Sequence, residues 1–239
     1  MRKAFVLLGV AIVAMLAGPS PALAEEEFEC NGVYEDRVFE NVTVPTNGAC
    51  TLIDSTVVDD VEVLRGAYLQ STGTAIGGNV EGRKAQTVFL DTGTRVFGHV
   101  HGHGTIQVFI FFSTIVRSIE VENATDSVMV CGNKIARGGI EIERSGTDIL
   151  VGDPLAEDCP GNVVKRGDVS LKRNFTDVEF VVRGNTIRNG SLTVYKNTGP
   201  VPKHVEDNTG GDTLRCLLNG SPFSENGNTG WDKLSGQCA

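Results

Sequence analysis

An all-β chain wound as a single-stranded parallel β-helix is the architecture this sequence encodes. β-branched anchors recur about every twenty residues, Gly, Asn, Asp, Ser and Thr separate the apolar runs, and helical periodicity is nearly missing after residue 24. An antiparallel sandwich is the competing architecture, because short strands with turn signals also fit it.

The chain begins with Arg2 and Lys3, continues through an apolar run from Ala4 to Ala17, and then reads Gly18, Pro19 and Ala22-Leu23-Ala24. This is the layout of a cleaved secretory leader over residues 1–24. The run is too short to cross a bilayer comfortably, and no cysteine follows Ala24 to carry a lipid anchor. The expectation is export to the cell envelope or extracellular space, with no membrane span after cleavage. Residues 25–239 then carry 19 basic against 30 acidic side chains, a net charge of −11. Nucleic acid is disfavoured as a partner, because phosphate contacts need clustered Lys and Arg. Divalent cations and cationic surfaces suit such a chain better.

The coils follow in order. "ENVTV", "DDVEV", "GNVEG", "GHVHG", "RSIEV" and "GGIEI" place anchors at Val42, Val61, Val80, Val100, Ile119 and Ile140, in steps of 19, 19, 20, 19 and 21 residues. A second set, Val38, Val57, Ile76, Val96, Ile115 and Ile135, sits just ahead of the first. A further apolar run follows each anchor, from "CTLI" through "AYLQ", "TVFL", "VFIF" and "SVMV" to "DILV". A period of 19–21 rather than the roughly 18 of three hexapeptides favours a right-handed coil over the left-handed hexapeptide type. Beyond Ile142 the register loosens, with insertions near Pro154 to Pro160. The solenoid domain is assigned to residues 25–199, and the Gly/Asn-rich segment 200–239, with the only Trp (Trp231), reads as a cap.

All six cysteines follow the leader, which points to disulfides in an oxidising compartment. Cys30 and Cys50 are one coil length apart, 20 residues, and Cys216 and Cys238 are 22 apart. Each pair would tie an end segment to its neighbouring coil, where open strand edges need protection. Cys131 with Cys159 is left by elimination.

The leader, the repeated "GNV" and "GNT" coils, and a terminal "GNTGWDKLSGQC" after "LRC" resemble a family of small secreted repeat proteins of actinobacteria. Bactofilin-type polymers have similar coils, but are cytoplasmic and lack the leader and cysteines. The resemblance implies a fold and a compartment and carries no catalytic residue across.

If the anchors point inward, their neighbours point outward. Three outward columns then climb the stack: Asn41, Asp60, Asn79, His99, Ser118, Gly139; Thr43, Glu62, Glu81, His101, Glu120, Glu141; and Pro45, Leu64, Arg83, His103, Glu122, Glu143. His99 and His101 would reach one metal, with Glu81 or Glu120 supplying an oxygen; such a set suits Zn²⁺, and the carboxylates alone suit Ca²⁺. A solvated charged face that requires no cofactor is the simpler reading. His103, between two glycines, is expected in a turn, and His204 carries no signal. Phe89, Phe109, Phe111, Met129 and Leu150 would face outward from the second strand, either as a partner surface or under the tail or insertion.

No G-x-S-x-G elbow and no reactive Cys–His pair occurs. A Ca²⁺-dependent polysaccharide lyase or hydrolase is assembled on paper from Asp60, Glu62 and Glu81 with Arg83, or Glu120, Glu122 and Glu141 with Arg137 or Arg144. Regular short coils, three Tyr and one Trp count against it. Asn41, Asn123, Asn174, Asn189 and Asn219 begin glycosylation sequons. The leading expectation is a secreted, non-catalytic structural or interaction module with a protein or polysaccharide partner. Metal-binding and carbohydrate-active forms are the alternatives.

Overall fold

In the computed structural model, residues 27–155 and 159–239 are described, so the leader assigned to residues 1–24 lies outside the described residues. Among the described residues there is no helix, and the chain forms three parallel sheets of 11, 10 and 9 strands. Each complete coil contributes one strand to each sheet, and the last turns contribute to the first one or two only. The first sheet runs from Phe28–Glu29 to Lys233–Gly236 and carries the acidic columns. The second runs from Gly32–Glu35 to Phe223–Asn226 and carries the outward aromatics. The third, of two-residue strands, runs from Val38–Phe39 to Thr209–Gly210. These are called the acidic, aromatic and short-strand sheets.

The predicted anchors stack as direct rung partners: Val42, Val61, Val80, Val100, Ile119 and Ile140 in one continuous column. The column continues through Val169, Leu192, Leu214 and Leu234. Strand alternation sends these side chains, apart from the exposed Leu234 at the end, into the main buried core, which extends from Cys30 to Cys238. A Leu or Ile to Ala change in such a core costs about 2–5 kcal/mol.

One anchor is displaced. Val38 is half exposed, and Phe39 takes the inward place, paired with Val57. Among the described residues no coil lies beneath this end one, and a larger group plugs the core. Phe39 stacks on Phe28 and meets Tyr34 edge-on, at ring separations of 4.4 and 5.9 Å.

The reading of residues 200–239 as a cap distinct from the coils is also corrected. Lys203–Glu206, Thr213–Leu217, Phe223–Asn226 and Lys233–Gly236 extend the aromatic and acidic sheets. Polar groups hid these coils from a hydrophobic pattern. Lys203 fills an inward position, where its Nζ donates to the Gly199 and Val201 carbonyls, and burial lowers its pKa. Near the end, Trp231 lies against Gly210, where a Cβ would run into the indole.

The corners between sheets hold two ladders of amides, buried except at their last members. One climbs Asn133, Asn162, Asn185, Asn208 and Asn228; each Nδ2–H donates to the Oδ1 of the next, at 2.9–3.0 Å. The other climbs Asn174, Asn197, Asn219 and Gln237 at 2.8–3.1 Å. The disulfides are Cys30–Cys50 and Cys216–Cys238, the end pairs expected from spacing, and Cys131–Cys159, the pair left by elimination. No cysteine among the described residues is free.

Candidate functional site

The acidic sheet presents its outward columns in the predicted register. Glu62, Glu81, His101, Glu120 and Glu141 are successive rung partners, and Arg83, His103, Glu122 and Glu143 run beside them. His103 therefore ends a strand rather than entering a turn.

The column that precedes them is spent largely on structure. Asn41 Oδ1 accepts the Asp60 N–H at 3.2 Å, Asp60 Oδ1 accepts the Asn79 N–H at 2.6 Å, and Asn79 Oδ1 accepts the His99 N–H at 2.9 Å. At the histidine rung the pattern changes. His99 Nδ1 lies 2.5 Å from Ser118 Oγ, and Ser118 donates to Glu120 Oε1 at 2.6 Å. One hydroxyl proton cannot serve both neighbours, so Nδ1–H donates to Ser118.

Cations are more plentiful on this face than the sequence columns indicate. Arg83 bridges Glu62 at 3.3 Å and Glu81 at 2.7 Å. The hydrogen bond to Glu81 and the charge of Glu62 raise the Arg83 pKa further. Lys172 pairs with Glu141 at 2.9 Å, and Arg144 and Arg173 both reach Glu143, at 3.0 and 2.9 Å. Lys172 and Arg173 come from the coil beyond the insertion, 30 or so residues away, too far for a pattern of 20 to reveal.

The four residues read as metal ligands, His99, His101, Glu81 and Glu120, line one shallow depression together with Asn79. They share a surface without converging: among the described residues, no three His, Cys, Asp or Glu groups are placed to hold a metal ion.

On the aromatic sheet, Phe89, Phe109, Phe111 and Met129 face outward as expected. Phe89 meets Phe109 and Phe111 edge-on at 6.1 and 5.8 Å. Leu150 is buried beside Cys131, Cys159 and Val181, so the disulfide-closed insertion covers the upper end of this stripe. The tail does not cover it, because the tail strands extend the same sheet.

Two charged clusters escaped the sequence reading. Asp148 stands between Ser127 and Glu179 in the ladder; burial, then the charges of Glu179 and Asp126, push its pKa up to about 6. Nearer the end, Arg183 donates to Asp153 at 2.8 Å and to Glu206, while Ser224 and His204 also engage Glu206. Burial disfavours the Glu206 anion, but these hydrogen bonds and the Arg183 charge outweigh it and bring the pKa down to about 2. His204 is thus part of a partly buried network, which its position in a Gly/Asn-rich stretch gave no reason to expect.

No protein-family model, curated protein or solved structure matches this chain.

Proposed function

We propose that the protein is a secreted, non-catalytic structural or interaction module of the cell envelope or extracellular space. The observation that carries this reading is the acidic sheet itself, a continuous rack of carboxylates and imidazoles in fixed register across successive coils. Such a surface suits repeated contacts with an extended partner better than attack on a single bond. Three disulfides support an oxidising compartment. The likeness to small secreted actinobacterial repeat proteins points the same way.

Fractionation of producing cells tests it: the oxidised protein is expected in the envelope or medium. Joint replacement of Glu62, Glu81, Glu120 and Glu141 by Gln is expected to reduce envelope retention. Unchanged retention would remove the acidic sheet as the contact surface. Turnover of acidic polysaccharides in Ca²⁺ would instead favour the β-helix enzyme.

A second reading, a divalent-metal surface, draws on the shared depression of Glu81, His99, His101 and Glu120. Metal content of the purified protein beside a His99→Ala/His101→Ala variant tests it, and equal content in both removes it.

A further inference from the structure

We propose that the depression between Ser118 and Thr193 on the acidic sheet binds an amino sugar, its ammonium held by carboxylates and its ring hydroxyls by side-chain hydroxyls. This rests on reading the acidic sheet as an interaction surface. The depression has a volume of about 410 Å³, within the range of small-ligand sites.

Its shape follows from two small residues. Gly139 interrupts the polar column above His99 and Ser118, and a Cβ there would collide with the Asp168 carbonyl, so this gap cannot be filled. Ser170 stands between Glu141 and Thr193 in the next column. Four successive rungs line the depression, a length of about 14 Å at ~4.8 Å per rung, which suits a short oligosaccharide.

Its chemistry is twofold. Glu120, Glu141 and Asp168 each spend one oxygen, on the Ser118 hydroxyl, the Lys172 ammonium and the Ser191 N–H respectively. The second oxygen of each remains to accept a hydrogen bond. Three carboxylates against the one ammonium of Lys172 leave the site negative, so it favours a cation. Ser170 and Thr193 add hydroxyls. Ser170 is 9% exposed and its Oγ is buried without a hydrogen-bond partner. A buried hydroxyl left unpaired is uncommon and calls for a partner. A neutral glycan would leave the carboxylates uncompensated, and a lysyl chain would leave the hydroxyls unmatched. A protonated amine on a polyhydroxylated ring answers both.

Calorimetric titration of the oxidised full chain, at low salt and below the pKa of the sugar amine, tests this with three probes. These are a glucosamine tetrasaccharide, its N-acetylated counterpart and tetralysine. The glucosamine oligomer is expected to bind, and the other two at least roughly tenfold more weakly. Glu120→Gln and Glu141→Gln are each expected to weaken it by a similar factor, Ser170→Ala by less, and Glu62→Gln, outside the depression, not at all. Thermal unfolding of each variant verifies its fold, and two separate carboxylate variants guard against one that misfolds. Absent binding, equal binding of the N-acetylated oligomer or of tetralysine, or indifference to the Gln variants each overturns the proposal. If the sugar fails while the four-Glu variant still loses envelope retention, the interaction reading survives without this ligand. If retention is also unchanged, both fall.

Discussion

At the corner between the aromatic and short-strand sheets, the lower coils place Ser55, Thr74, Thr94 and Ser113, whereas the upper coils place Asn133, Asn162, Asn185, Asn208 and Asn228. A hydroxyl has one proton. Ser55 spends it on the Ile53 carbonyl, and Thr94 on the Ser71 carbonyl, at 2.8 and 2.9 Å. An amide has two protons and a twofold acceptor, so each Asn joins both neighbours. Asn162 Nδ2 donates to Val130 O and to Asn185 Oδ1, while its own Oδ1 accepts from the Asn133 backbone and side chain. The change coincides with coil regularity. Steps along the core column are 19 to 21 residues up to Ile140, but Ile140 to Val169 spans 29 and Val169 to Leu192 spans 23. Where coil length is uniform, backbone pairing and apolar burial suffice. Where insertions interrupt, side-chain amides hold the rungs in line.

The sharpest way to break this contrast is Asn185→Val. It strands the Asn162 backbone N–H, one proton of the Asn162 side-chain amide and the Val151 carbonyl, while Asn208 Oδ1 keeps the backbone N–H of residue 185; at about 1–3 kcal/mol for each buried unsatisfied group the expected loss is about 4 kcal/mol in denaturant unfolding. A loss no larger than that of a lower-corner hydroxyl would show the ladder to be ornamental. Next come the ends. Replacing Cys30 and Cys50, or Cys216 and Cys238, by Ala opens loops of 20 or 22 residues and is expected to cost about 3 kcal/mol in each case. Equal thermal shifts would show that the two halves differ at their corners and not at their ends.

An acid titration separates the halves further. The folded-state pKa of Glu206, near 2, lies below its ordinary value, so its stabilisation is complete above that ordinary value and is lost as pH falls toward 2. Glu206→Gln is expected to flatten this limb of the stability curve, and an unchanged limb would remove the Arg183 cluster as its source. Thr94→Val, in the lower half, is expected to cost about 1 kcal/mol, one neutral hydrogen bond. The opposite sign belongs to Asp148, whose folded pKa is raised to about 6. It destabilises the fold as pH rises from the ordinary aspartate value through 6, so Asp148→Asn is expected to stabilise at neutral pH and to change little in acid. Stabilisation that persists undiminished in acid would contradict this assignment.

The period of the lower coils was legible because apolar side chains mark every rung, and the column from Val42 to Ile140 lies as its spacing implies. The cysteine pairing was legible for the same reason, since one coil length in sequence is one rung in space. Between the insertion and residue 199 further coils were legible but their register was not, and the coils after residue 200 were missed, because there the repeat is written in Asn, Gly and Thr. The triplets "GNK", "GNV", "GNT", "DNT" and "GNT", beginning at residues 132, 161, 184, 207 and 227, are the signal that would have found them. On the acidic sheet, the order of residues along each column was readable. Which oxygens and nitrogens are already engaged was not, because Ser118 between His99 and Glu120, and Lys172 beside Glu141, depend on side-chain geometry.

Asn174 and Asn219 each begin a sequon, yet both are buried in the second amide ladder. The Nδ2 to which an N-linked oligosaccharide would be attached already donates to the Ile142 carbonyl and Asn197 Oδ1 in one case, and to the Val194 carbonyl and Gln237 Oε1 in the other. Glycan transfer and coil winding therefore compete for the same nitrogen atoms. A production host that glycosylates during translocation would shut these two coils out of register, whereas a chain that winds first is immune at both sites.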